Sequence, residues 1–230
     1  MSRPHTTRIR VWHFAGKTLR DGRPLPRRGD VLKHDGPVVP CESGLHGSER
    51  AIDALGYAPG PLVALCELGG EVVAHGSDKH AASERHYLTG YVDATRVLHE
   101  FACWCATQAL NGVEARGGKV DPRSRAAIAT KLAWLDGNAA DADMAAAWDA
   151  AWDAAWDAAR DAAWAAAWDA ARAAARDAAW AATRAAATAA AWDAAWDATR
   201  DAAMAAACGA AWDAQKTELE RRLLALLEVE

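Results

Sequence analysis

Apolar and polar positions change rhythm along this chain, and each rhythm predicts a different element. Arg8–Phe14 (RIRVWHF) sets β-branched and aromatic residues in alternation, the two-residue period of a half-buried strand. The following AGKTLRDGRPLPRRGD is rich in Gly, Pro and Arg and reads as loop. Val31–Lys33 and Val38–Val39 flank Asp35-Gly36 and predict a short hairpin. In CESGLHGSERAIDALGYAPG, Ser48 is the expected N-cap of a short helix from Glu49 to Leu55, stopped by Gly56 and Pro59. Leu62–Leu68 and Glu71–His75 around Gly69-Gly70 predict a second hairpin, and His86–Val92 a further strand. Asp93 then caps a helix to about Leu110, Asn111–Val120 is loop, and Pro122–Leu135 is a helix with proline in its first turn. The expected fold class is α+β. A mixed head of four to six strands over residues 1–138 is followed by one very long Ala/Trp-rich α-helix.

The third rhythm is a tetrad that runs without a slip from Met144 to Gln215. Its first position reads Met144, Trp148, Trp152, Trp156, Arg160, Trp164, Trp168, Arg172, Arg176, Trp180, Arg184, Thr188, Trp192, Trp196, Arg200, Met204, Cys208 and Trp212. The second position is Asp or Ala apart from Gly209, the third is always Ala, and the fourth is Ala except at Thr183, Thr199 and Gln215. With no proline and this much alanine, residues 139–215 predict a single repeat helix, roughly 108 Å over Met144–Gln215 at 1.5 Å per residue. Asn138 or Asp141 is the expected cap. Residues 216–230 break the tetrad with an ordinary amphipathic stripe, Leu219, Leu223, Leu226 and Leu227, which predicts a capping helix.

A step of four turns an α-helix by about 400°, so the Trp/Arg row drifts about 40° per tetrad and circles a straight helix. The tract holds nine tryptophans. Each has roughly 150–250 Å² to bury, which a lone helix cannot do. Either partner helices follow the row in a tight right-handed coil, where the alanine row lets backbones approach, or π-type turns widen the helix toward a period of four. The row then becomes an assembly face, and a homo-oligomer or a helical protein partner is expected. The competing view is a low-complexity expansion serving as a spacer. Spacers need no tryptophan, and this favours self-association.

Charge sharpens the division. Residues 1–143 carry 18 Lys/Arg against 17 Asp/Glu, whereas the tract carries 5 against 10. An acidic tract disfavours nucleic acid, whose phosphates need clustered cations. No run of eighteen apolar residues and no apolar leader occurs, so no membrane partner is expected. The five cysteines form no disulfide ladder, which points to a reduced, cytoplasmic setting.

Candidate chemistry is sparse. His99, Cys103 and Cys105 share a predicted helix but offer three ligands where zinc sites usually take four, so neither metal nor other cofactor is expected from them. Lys17, Arg20, Arg23, Arg27, Arg28 and Lys33 make a basic loop, either solvated or phosphate-receiving. No G-x-x-x-x-G-K loop is present. His46, between small residues in a loop, is suited to a loop-stabilising hydrogen bond or to chemistry.

Two resemblances attach to these motifs. CESGLHGSERAIDALGYAPG, the strand ending CELGGEVV, and SDK resemble an uncharacterised domain family of bacteriophage and actinobacterial proteins with Ala/Trp/Asp/Arg-rich tails. That likeness implies a bacterial or phage-infected host cell and no particular activity. The order WHFAG (12–16), GLHGSERAIDALGYAPG (44–60) and LCELGG (65–70) is similar to small ADP-ribosyltransferases of the rifampin-modifying type. This second resemblance implies NAD as cofactor. His13 would hold the nicotinamide ribose, the backbone after Leu45 would frame the nicotinamide, and Glu67 would face an oxocarbenium-like centre. The motifs depart from that family at His-Phe-Ala-Gly and where His46 stands near an expected tyrosine. Two functions follow: a structural protein displaying its head on a self-associating helix, or a transferase-like enzyme, active or degenerate, with a targeting tail.

Overall fold

A computed structural model describes residues 8–154, 157 and 209–228. The chain divides into two compact units, Met1–Ala102 with Trp212–Glu230, and Cys103–Ala211.

The first unit is built on an antiparallel sheet of six strands ordered β1-β4-β5-β2, with β3 added to β5 and β6 to β4. The strands are β1 Ile9–Ala15, β2 Val31–Lys33, β3 Leu45–Gly47, β4 Leu62–His75, β5 Lys79–Tyr87 and β6 Val92–Asp93. β1 pairs with β4 from Ile9↔Leu68 to Ala15↔Leu62, which sets Val11 beside Cys66 and His13 beside Ala64 on one face. Arg10 and Glu67 lie opposite each other on the other face, because successive side chains alternate across a sheet. Val11, Ala64, Cys66, Leu68, Ala82 and Tyr87 pack into one core cluster. Burial pushes the Cys66 thiol up to about 12, so it behaves as a small apolar side chain.

The other face is covered by helices. α1 (Ala51–Leu55) packs on β1, and a C-terminal helix over 209–228 lies near Arg10, Trp12 and Leu65. Leu219 and Leu223 of that helix are fully buried, Glu220 accepts a hydrogen bond from the Ala51 N–H at 3.2 Å, and Arg222 stands 3.6 Å from Glu100. The amphipathic stripe at the end of the sequence therefore belongs to the head.

Several local expectations are corrected. Gly69-Gly70 is no hairpin turn: β4 runs through it with a bulge between Gly69 and Val72, and the chain reverses at Gly76–Asp78. Gly70 has φ +71°, and an added Cβ would stand 2.1 Å from Ser83 Oγ, the atom that accepts from Glu71 N–H at 2.9 Å. A glycine pair with positive φ serves a bulge as well as a turn. β2 pairs with β5 from Val31↔His86, not with Val38–Val39, and Val39 bridges Ser43 instead. Ser48 does not cap α1. Its backbone exchanges two hydrogen bonds with Trp12 at 2.7 and 3.2 Å, and Arg50 takes the N-cap position without a side-chain bond. The strand expected over His86–Val92 ends at Tyr87 and resumes only as β6.

α2 (Thr95–Ala115) begins as expected, with Asp93 accepting from Thr95 N–H at 2.8 Å, but it continues through Leu110, so the loop shortens to the turn around Gly117. In the second unit, α3 (Pro122–Leu135) has the expected bounds, and its N-cap Asp121 accepts from Arg123 N–H at 2.8 Å. A helix over 141–154 runs back antiparallel to α3, since Trp134 donates to Asp141 at 2.8 Å near the turn and Arg123 meets Asp157 at 3.0 Å farther along. Neither Asn138 nor Asp141 caps this helix; the Asp143 carboxylate reaches back to Ala140 N–H at 2.8 Å. The single unbroken helix expected over Met144–Gln215 falls largely outside the described residues. No described helix is long and apolar enough to cross a membrane.

Candidate functional site: a basic cleft on the head

The Val11/His13 face opens beyond its core into a cleft of about 1230 Å³. Its walls are the end of β1, the basic loop after it, and the 41–48 segment. His34, Ala54, Tyr57, Pro59 and Lys79 line it as well, and Arg85 reaches it from β5. The volume exceeds the usual range for small-ligand pockets, roughly 300–1,000 Å³.

β1 places His13 and β3 places His46 in this one cleft. His13 Nδ1 is hydrogen-bonded to the Tyr91 hydroxyl. Desolvation, then the charges of Arg85 and His46, hold its imidazole well below the ordinary value, so it is neutral near pH 7. His46 Nε2 accepts from the Cys41 N–H at 3.2 Å, which anchors a residue with φ +70°. Desolvation first, then Lys79 and Arg85, lower its pKa too. Burial drives the Tyr91 hydroxyl strongly upward, so it stays protonated.

Glu67 is not part of this arrangement. It lies on the opposite face of β4, beside Arg8 at 3.3 Å. The cleft carboxylates are Asp21, bound to Arg23 at 2.6 Å, and Glu42, which is exposed. From the basic loop, Lys17, Arg20 and Arg23 line the cleft, while Lys33 pairs with Glu84 at 3.1 Å. Arg27 and Arg28 are exposed.

The site also holds residues that the sequence did not single out. Arg85 is buried; its Nε donates to Tyr87 Oη at 2.9 Å and its Nη1 to the His46 carbonyl at 2.7 Å. Lys79 is buried with Nζ 3.1 Å from Cys41 Sγ and 4.3 Å from the centre of the Tyr57 ring. The available signal was charge at inward positions of a strand, since Lys79, Arg85 and Tyr87 share the odd register of β5.

Among the described residues no group of three or more His, Cys, Asp or Glu is arranged to hold a metal ion. Cys103 is buried and Cys105 half-buried on α2. Of the expected assembly residues, Trp148 is 67% exposed, Trp152 64% and Trp212 48%. Trp156, Arg160, Trp164, Trp168, Arg172, Arg176, Trp180, Arg184, Trp192, Trp196 and Arg200 lie outside the described residues. The chain matches no protein-family model, no curated protein and no solved structure.

Proposed function

We propose that this is an assembly protein: its tetrad tract associates with copies of itself through the tryptophan row and displays the α+β head. One observation carries this proposal. Trp148 and Trp152, one helical step of four apart, both stand about two-thirds exposed on the helix over 141–154. Adjacent exposed indoles on one helix face make a sticky stripe that a soluble monomer does not tolerate and an oligomer buries. The flanking Asp149 and Asp153 keep the rest of that surface polar. In this account the chain needs no cofactor and works in the cytoplasm of a bacterial or phage-infected cell. Sedimentation velocity on the Trp148→Ala/Trp152→Ala full chain tests it. A shift toward smaller species with unchanged helicity supports assembly, and an unaltered distribution counts against this stripe as the contact.

A second function is favoured by a separate observation, the convergence of His13 and His46 on one cleft. It is an ADP-ribosyltransferase-like head that binds NAD. With Glu67 on the far side of the sheet, the head then binds without the expected carboxylate, as a degenerate enzyme would. Saturation-transfer NMR with NAD separates the two functions, because loss of transfer in His13→Ala is required only by this one.

A further inference from the structure

Two cations beneath the cleft make no ion-pair contact among the described residues. Lys79 is 9% exposed and Arg85 4%. Lys79 Nζ meets a sulfur and an aromatic ring, and Arg85 meets a hydroxyl and a carbonyl. Among the described residues neither reaches a carboxylate. Asp21 is bound to Arg23 and Asp53 to Arg50, while Asp78 accepts from the Tyr57 hydroxyl at 2.6 Å and acts on Lys79 through space, without an ion-pair contact. The Nη2 group of Arg85 has no protein acceptor among the described residues.

A buried charge without a partner is strongly destabilising, and buried cations are normally paired. Two such cations in one unit, both opening on the same large cleft, call for negative charge from outside the chain. Their charged ends flank His46: Arg85 Nη1 donates to its carbonyl at 2.7 Å, and Lys79 Nζ lies 3.1 Å from the sulfur of Cys41, whose N–H donates to His46 Nε2. The cleft around them is far larger than one compact ion needs. Lys17 and Arg20 on the basic loop add positive potential at the rim.

We infer that the cleft is a binding site for a phosphorylated small molecule with more than one anionic group, whose oxygens pair with Lys79 Nζ and Arg85 Nη2. Phosphate oxygens suit both donors. The ammonium acts as a point charge, and the guanidinium offers a directed N–H. The proposal requires no transfer chemistry and is independent of assembly, so its failure leaves the self-association of the tract untouched.

The test uses the full chain with three probes, inorganic phosphate, inorganic triphosphate and a nucleoside 5′-diphosphate, against sodium chloride at matched ionic strength. Binding is read by calorimetry and by peptide-resolved alkylation of Cys41, whose sulfur sits against Lys79 Nζ. Triphosphate or the nucleotide should bind and slow Cys41 alkylation, with the nucleotide tighter if a base also contacts the cleft. Lys79→Met should weaken binding about tenfold or more, the usual scale for a charge-assisted hydrogen bond, while Lys79→Arg retains most of it. Without ligand, Lys79→Met should melt no lower than the parent, because it removes an unpaired charge. The inference is overturned if none of the three probes protects Cys41 beyond chloride, or if Lys79→Met binds as the parent does. A lower melting temperature of Lys79→Met in chloride alone overturns it too, since that marks a structural lysine.

Discussion

Replacing Leu223 with alanine probes how the end of the chain is joined to the head. Leu223 and Leu219 are fully buried, one helical step of four apart, on a helix that lies near Trp12 and Leu65 and receives the Ala51 N–H through Glu220. Buried Leu→Ala substitutions cost about 2.7–5 kcal/mol, the transfer free energy of the lost atoms plus the cavity left behind. Stabilities of small units run to roughly 5–15 kcal/mol, so the change removes a large share. Leu224, next in sequence and 37% exposed, is the internal control; its alanine variant should cost under about 1 kcal/mol. Urea titration followed by hydrogen exchange at the β1 amides reads the head directly, since those amides pair with β4. Leu223→Ala should expose them at lower urea by about 3 kcal/mol, and Leu224→Ala should leave them nearly unchanged. No shift in Leu223→Ala would refute the docking of this helix on the sheet.

Gly70→Ala should lower the melting temperature by the equivalent of at least about 1–3 kcal/mol, because φ +71° and a Cβ 2.1 Å from Ser83 Oγ both oppose it. Gly69→Ala, whose added carbon meets nothing closer than 3.8 Å, is the thermal-denaturation control. The His13 pKa sets a pH dependence. The unfolded chain takes up a proton near pH 6.5 and the folded chain takes it up only well below that. Stability is therefore full above about pH 6.5 and falls as pH drops, by at most about 1.4 kcal/mol per pH unit from this group. His13→Gln should flatten the slope of unfolding free energy against pH in that window; an unchanged slope removes His13 as its source.

Legibility followed the range of the forces. Where a local cue decided structure the sequence was sufficient: the alternation of β1, the Asp93 cap, and the bounds of α3 with Pro122 in its first turn. Where a distant strand decided, it was not. β2 took β5 as its partner because edge pairing over fifty residues outweighs a nearby Asp-Gly turn. Gly69-Gly70 carried a turn's composition, yet β4 continues through it as a bulge, with Ser83 of β5 holding Glu71 N–H. The cleft was half legible. His13 and His46 stood out by motif order, whereas Lys79 and Arg85 read as ordinary charged residues until β5 turned them inward. Glu67 went to the far face because pairing with Arg10 fixes its register.

The assembly account rests most directly on the mass of the full chain in solution. Multi-angle light scattering across a concentration series should give a multiple of 24.4 kDa that persists on dilution and falls in Trp148→Ala/Trp152→Ala. A mass of 24.4 kDa at every concentration would contradict it.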